Sequence, residues 1–293
     1  MIEDADRIVS RSAAIVVTYH PDVESVAKLV DSLCEAFPEV IVVDNSDDAA
    51  IRASLSKSLD ARSRLVSMDG NAGIGAAQNC GINEASSAGC EYFVTFDQDS
   101  VPEAGFLGKL VDAYVEASQT YDIAAIGPRA LDAETGKAYA PASSSTPLVV
   151  ERTLSSGLLL TRRSLDIVGP MDEALFIDLV DWDWCFRARA NGLVVMMAPS
   201  VILEHRLGER HTRIVGAGNI GTPQPWRHYY GLRNYLLLCR RRYVPPSWWK
   251  AKYFAINLFK LLAYPVFMES GGERLHYMLE GIRDGLAGRS GPR

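Results

Sequence analysis

The chain has 293 residues, 48% hydrophobic and 23% charged, a composition that excludes disorder and leaves room for a sizeable core. Its five cysteines, at 34, 80, 90, 185 and 239, are odd in number and form no C-x-x-C pair, which argues against a disulfide framework and a cysteine-rich zinc site. The net charge of −6 hides an asymmetry: from Trp226 onward there are 12 Lys/Arg against 4 Asp/Glu, and before it 18 against 32. An acidic body with a basic tail suits an anionic partner, whether a membrane surface, a nucleic acid or a diphosphate.

The opening "MIEDADRIVS" is acidic and lacks the apolar stretch of a secretion signal, so a cytoplasmic location is expected. "AAIVVTYH" reads as a buried strand and "DVESVAKLVDSLCEAF" as a helix. "VIVVDNS" is a second strand, ending at Asp44, and "RLVSMDGN" a short third. "GIGAAQNCGINEASSAG" is helical after a glycine-rich start. "EYFVTFDQDS" is the next strand and "AGFLGKLVDAYVEAS" the next helix. This alternation predicts an α/β fold with a mostly parallel sheet covered on both faces, with ligands bound beyond the C-terminal strand ends. Residues 132–155 read as a loop with an edge hairpin, and "SSGLLLTRRSLDIVG" as a strand and helix. "EALFIDLVDWDWCFRARANG" reads as one helix and "LVVMMAPSVILEHRLG" as a strand, followed by a glycine-rich mobile loop over 208–225. From Trp226 the chain is helical and basic.

Three strands end in polar residues: Thr18-Tyr19-His20, Asp44-Asn45-Ser46 and Asp97-Gln98-Asp99. In extended backbone Asp97 and Asp99 point to one side, where two carboxylates can hold a divalent cation or divide between a metal and a sugar hydroxyl; otherwise they are solvated turn acids. Asp44 can accept from a ribose or a base, or start a turn. Gly73-x-Gly75 resembles a dinucleotide fingerprint, but Gln78 stands where the third glycine belongs, so a nicotinamide enzyme is not indicated. The small residues either admit a ligand close to a helix N-terminus or pack tightly on the sheet. On a helix, Asp178 and Asp181 share a face and Asp183 pairs with Arg187; acids beside tryptophans gain a raised pKa that suits a proton acceptor. His205 closes "VILEH" as a structural histidine or as a third metal ligand.

Together "VVTYH", "VVDNS", "NAGIGAAQNCGI", "FDQDS", "SSGLLL", "DWDWCFRA" and "EHRLG" resemble family 2 glycosyltransferases of the GT-A fold. "FDQDS" and "YYGLRNYLLL" are similar to bacterial rhamnosyltransferases that use dTDP-L-rhamnose. The resemblance implies a GT-A nucleotide-sugar-binding and catalytic domain over 1–225 and a basic, amphipathic helical region over 226–293. It implies that Thr18, Tyr19, Asp44, Asn71, Gly75, Asn79 and Asp97 line the nucleotide pocket. Asp99, with His205, would hold Mg²⁺ or Mn²⁺, and Asp181 would be the catalytic base. Trp182, Arg233 and Asn234 would face the acceptor. The family commonly has an acidic pair at the base, whereas here Val180 precedes Asp181. The implied reaction is an inverting transfer of L-rhamnose to a growing glycan or lipid-linked acceptor in cell-surface polysaccharide synthesis, with no nucleic-acid partner. Galactofuranose or a hexose as the donor sugar, a nucleotidyltransferase, and a non-catalytic nucleotide- or glycan-binding protein are the competing readings. "SWWKAKYFAINLFKLLAYPVFM" is too interrupted, at Lys250, Lys252, Asn257, Lys260 and Pro265, for a secure membrane span. It reads as an interfacial helix on the inner face of the cell membrane, or as a homodimer contact.

Overall fold

A computed structural model describes residues 4–132, 136, 138, 145–205, 210–214, 218–245 and 247–293; for 205, 210–214, 218–222 and 247 it describes the backbone alone. In chain order the elements are α1 (Ala5–Ser10), β1 (Ser12–Thr18), α2 (Val23–Ala36), β2 (Glu39–Asp44), α3 (Ala49–Ser58), β3 (Ser63–Ser67) and α4 (Ile74–Ser87). Then follow β4 (Tyr92–Asp97), β5 (Val101–Pro102), α5 (Phe106–Ser118), β6 (Ile123–Asp132), β7 (Leu148–Val150), β8 (Leu158–Thr161) and α6 (Arg162–Val168). A 3₁₀ turn (Glu173–Leu175), α7 (Val180–Ala190), β9 (Val194–His205), β10 (Arg210–Ile214), β11 (Gly218–Thr222), α8 (Arg227–Cys239), α9 (Ser247–Phe267) and α10 (Gly271–Ala287) complete the described chain.

The main sheet runs β3-β2-β1-β4-β8-β6-β9-β5, with β7 on β9. Its first four strands are parallel, as βαβ crossovers require. Beyond β4 the sheet is mixed: β8 runs antiparallel between β4 and β6, and β6 and β9 are parallel again. β1 and the inner part of β2 are buried along their length, which explains their unbroken apolar runs. One core lies on the side of α2 and α5, where Leu33, Leu110 and Phe96 meet; the other lies on the side of α4 and α7, where Ile15, Phe93 and Trp184 meet.

The C-terminal helices share that second core through Tyr235, Leu238 and Trp249. α10 lies close along α8 because Gly281 presents no side chain; a Cβ there would stand 2.4 Å from the Tyr229 carbonyl oxygen. Two expectations change. The glycine-rich segment 208–225 contains an antiparallel hairpin, β10 on β11, because its alternate residues can pair across a short connection; 206–209 and 215–217 lie outside the described residues. Within the loop expected over 132–155, β7 pairs with β9, and 133–135, 137 and 139–144 lie outside the described residues.

Candidate active site

The parallel register sets the site. Thr18 lies opposite Asp44, and Val17 opposite Asp97, so three polar strand ends stand side by side. Beyond them opens a cavity of about 950 Å³. Tyr19, Asn45, Asn71, Gly73, Asp97, Gln98 and Asp99 line its sheet side. Asp178, Asp181 and Trp182 line it from the start of α7, and Arg227, His228, Tyr253, Asn257 and Lys260 from α8 and α9.

On the sheet side a side-chain network shapes the wall. The Tyr19 N–H donates to Gln98 Oε1 at 2.7 Å. Asn45 Nδ2 donates to Asn71 Oδ1 at 3.2 Å, and the Ala72 and Gly73 N–H groups donate to Asn45 and Asn71 at 2.9 and 3.1 Å. Of the residues expected in the nucleotide pocket, Tyr19, Asn71 and Asp97 line the cavity. Thr18 and Asp44 are fully buried behind it. Asp44 Oδ1 accepts from the Ser46 N–H, and its Oδ2 faces Arg52 at 3.5 Å without a hydrogen bond. Asn79 faces away, donating to the Met171 carbonyl and accepting from the Met171 N–H, so it anchors a neighbouring loop. Gly75 lies under that loop, 3.3 Å from Asp172 O by its would-be Cβ, so its smallness serves packing.

Asp97 ends β4, but Asp99 lies in a turn closed by a Ser100 N–H bond to the Asp97 carbonyl; the pair is not in continuous extended backbone. Both carboxylates still belong to the cavity wall. Among the described residues no three His, Cys, Asp or Glu gather closely enough to hold an ion by protein ligands alone. Two carboxylates beside open space suit a hard cation that takes its remaining oxygens from phosphate and water. His205 ends β9 opposite Asp132, and its side chain lies outside the described residues.

The three acids around α7 separate cleanly. Asp183 is fully buried and bound by Arg187 Nε at 2.9 Å, Tyr243 Oη at 2.6 Å and Arg241. It ties α7 to the segment after α8 and is closed to a substrate. Asp178 is not on the helix: it precedes α7 and pairs with Arg227 at 2.5 Å. Asp181 faces the cavity from the first turn of α7. Withdrawal from water, reinforced by the Asp97 and Asp178 carboxylates, pushes its pKa up to about 7, against the opposing bond from the Trp182 N–H. Trp182 meets Tyr253 edge-on, and the Arg152 guanidinium stacks 3.9 Å over its ring. The pair forms an aromatic wall beside Asp181.

The expected single helix over this region is broken because Phe176, Asp178 and Leu179 all adopt positive φ, near +65°. Such backbone in non-glycine residues persists only where its surroundings hold it. Here Asn234 Nδ2 donates to the carbonyls of Leu175, Ile177 and Asp178 at 2.9, 2.7 and 2.8 Å. Arg233 Nη2 adds a bond to Leu175 O at 3.0 Å, and the Gly291 N–H bonds Ala174 O at 2.7 Å. Both side chains are completely buried. Arg233 and Asn234 therefore sit behind the site, holding its backbone, rather than at the acceptor contact expected of them. Gly73 completes the clamp: its following residue, Ile74, donates to Phe176 O at 2.8 Å.

Arg227, His228, Asn257 and Lys260 are the functional candidates that sequence reasoning does not single out. The available signal was that Asn257 and Lys260, one helical turn apart, interrupt an otherwise apolar run.

Fold and site together define a glycosyltransferase of the GT-A type. Residues 13–143 match the glycosyl transferase family 2 model. Over 246 residues the chain is 33% identical to the dTDP-rhamnosyl transferase RfbF of Shigella flexneri, covering 79% of this chain and 81% of that one. The chain belongs to glycosyl transferase family 2. Its fold is also similar to that of GalNAc-T7, solved with UDP, GalNAc and Mn²⁺: TM-score 0.63 at 12% identity, over 95% of this chain and 56% of that longer one. Residues 1–349 of S. aureus TarS give a TM-score of 0.52 at 17% identity, over 94% and 80% of the two chains. These low identities speak to the fold alone.

Proposed function

We propose that the chain is an inverting rhamnosyltransferase, moving L-rhamnose from dTDP-β-L-rhamnose to a hydroxyl of a glycan or lipid-linked acceptor. The observation that carries the reading is the placement of Asp181, with its raised pKa, in the same cavity as the strand-end acids Asp97 and Asp99. The donor sugar rests on the likeness to the dTDP-rhamnosyl transferase.

In this reading the nucleotide lies along Tyr19, Asn71 and Asp97, with Asp97 toward the ribose. Asp99 is the residue to hold a divalent cation, Mg²⁺ or Mn²⁺, which when bound neutralises charge on the departing diphosphate. The acceptor lies against Trp182, its hydroxyl turned to Asp181. Asp181 takes the proton as the acceptor oxygen bonds to the anomeric carbon. The bond from that carbon to the diphosphate oxygen breaks on the opposite face, so configuration inverts. A carboxyl with a pKa about 7 is well matched to this transfer near neutrality. Residues 1–225 supply the donor side, and 226–293 complete the acceptor side.

The test is donor turnover with a panel of nucleotide sugars and Mn²⁺. dTDP-β-L-rhamnose should be consumed about tenfold faster than UDP-galactofuranose or UDP-hexoses, a modest difference in transition-state binding. Preference for a UDP sugar would overturn the donor assignment.

The same reading places the enzyme peripherally on an anionic membrane. No helix among the described residues is long and apolar enough to cross one. α9 instead exposes Phe254, Leu258, Phe259, Leu262 and Val266 on its outer face while its inner face lines the cavity. It has no acidic residue and carries Lys250 and Lys252, so an anionic surface complements it better than a second, equally basic copy. Salt-sensitive flotation with anionic liposomes is expected. A protein that never floats yet elutes as a dimer would assign the face to self-association instead.

A further inference from the structure

The charges lining the cavity are segregated. Asp97 and Asp99 lie at the strand ends, Asp181 at the start of α7, and Arg227, His228 and Lys260 on the side made by α8 and α9. Asp178 lies between, paired with Arg227.

His228 has a defined role at the basic end. Its Nε2 lies 2.7 Å from Arg274 Nη1. A guanidinium only donates, so Nε2 is the acceptor and the ring proton sits on Nδ1. Burial, with Arg274, Lys260 and Arg227 nearby, lowers the ring pKa to about 4. His228 is therefore a neutral donor surrounded by cations.

Lys260 reaches the cavity from the inner face of α9, one turn beyond Asn257. It makes no ion pair among the described residues, and burial lowers its pKa while Asp178 opposes the shift. Lys260 is half-buried and Asp178 is near it without forming an ion pair, so an incoming anion can supply the close partner it lacks among the described residues. Of the three cations near His228, Arg227 is paired with Asp178 and Arg274 has Glu269 and Glu273 beside it, which leaves Lys260, with the His228 ring N–H and the Asn257 amide, to donate to an anion of several oxygens such as a phosphoryl group.

Resting on the transferase reading above, we propose that Lys260, with His228 and Asn257, binds a phosphoryl group carried by the acceptor. The site faces the donor end across the cavity. A phosphate ester of a lipid and a sugar phosphate both present this chemistry.

The test is competitive acetylation of lysines, read by mass spectrometry, on the full chain saturated with dTDP and Mn²⁺. Hexyl phosphate or glucose 1-phosphate should slow labelling of Lys260 while leaving the surface Lys57 and Lys109 unchanged; the stronger protector names the source. In calorimetry without nucleotide or metal, Lys260→Met should weaken the better phosphate by about tenfold or more, the loss of a charge-assisted bond, while Lys260→Arg retains binding. Unchanged labelling of Lys260 with both phosphates would overturn the proposal. So would full protection by dTDP and Mn²⁺ alone, which would give the site to the donor, or equal protection by uncharged octyl glucoside. Because the calorimetry needs no donor, failure of the rhamnosyl reading shows separately, as absent donor turnover.

Discussion

The side-chain amide of Asn234 lies 2.8 Å from the carbonyl oxygen of Asp178, three residues ahead of the proposed base. Two amide protons serve three carbonyls in a turn whose φ angles are otherwise unfavourable. Asn234→Ala leaves those buried carbonyls short of a donor, at about 1–3 kcal/mol. A lowered Tm is expected. Turnover should fall more than donor affinity, because the turn orients Asp181 and not the nucleotide wall. Calorimetry with dTDP beside steady-state kinetics checks the split.

Gly73 tests the other half of the clamp. It holds φ +89°, and a Cβ there would stand 2.6 Å from the Phe176 carbonyl oxygen. Gly73→Ala should destabilise by about 1–3 kcal/mol through backbone strain and displacement of the turn. Gly108→Ala is the control: Gly108 is exposed on α5 with open space around it, and alanine should be neutral or slightly stabilising. Denaturant midpoints of the two variants should move apart.

Protonation of Asp181 makes both activity and stability depend on pH. With its pKa near 7, kcat/KM should rise as pH climbs through about 7 and the carboxylate forms. Stability runs the opposite way. The folded carboxyl keeps its proton above the ordinary carboxyl range, so its contribution is intact below the ordinary aspartate value of 3.8 and is lost as pH rises through about 7. Metal-free Asp181→Asn should therefore gain Tm over the parent at pH 8 and little at pH 4, as thermal scans at both pH values can show.

Asp99→Ala should weaken metal-dependent binding of dTDP and reduce turnover, while binding without metal changes little. Titration of dTDP with and without Mn²⁺ measures both arms. Equal metal enhancement in variant and parent would remove Asp99 from the cation.

Much of the fold was legible in the sequence. β1, β2 and β4 are apolar runs because they are buried on both faces, and their polar ends mark the site edge. The direction of β8 was not legible, since a short apolar run looks the same in either orientation. The break before α7 was hidden as well. Ile177, Asp178 and Leu179 contain no glycine or proline, and their conformation is imposed by Asn234 from a distant helix. Asn79, Arg233 and Asn234 are readable as polar residues in helices, but only the fold shows that they hold backbone rather than ligand. Asp181 could be singled out at the start because it matches the family position. What separates it from Asp183, two residues on, is the buried pairing of Asp183 with Arg187 and Arg241.

The most direct test of the account is Asp181→Asn, assayed for donor binding and transfer in one preparation. The substitution preserves shape and removes only the basic carboxylate. dTDP and Mn²⁺ should bind with parental affinity, while turnover of dTDP-β-L-rhamnose falls by about 10²–10⁴-fold, the usual contribution of a general base. Near-parental turnover with intact binding would contradict Asp181 as the base.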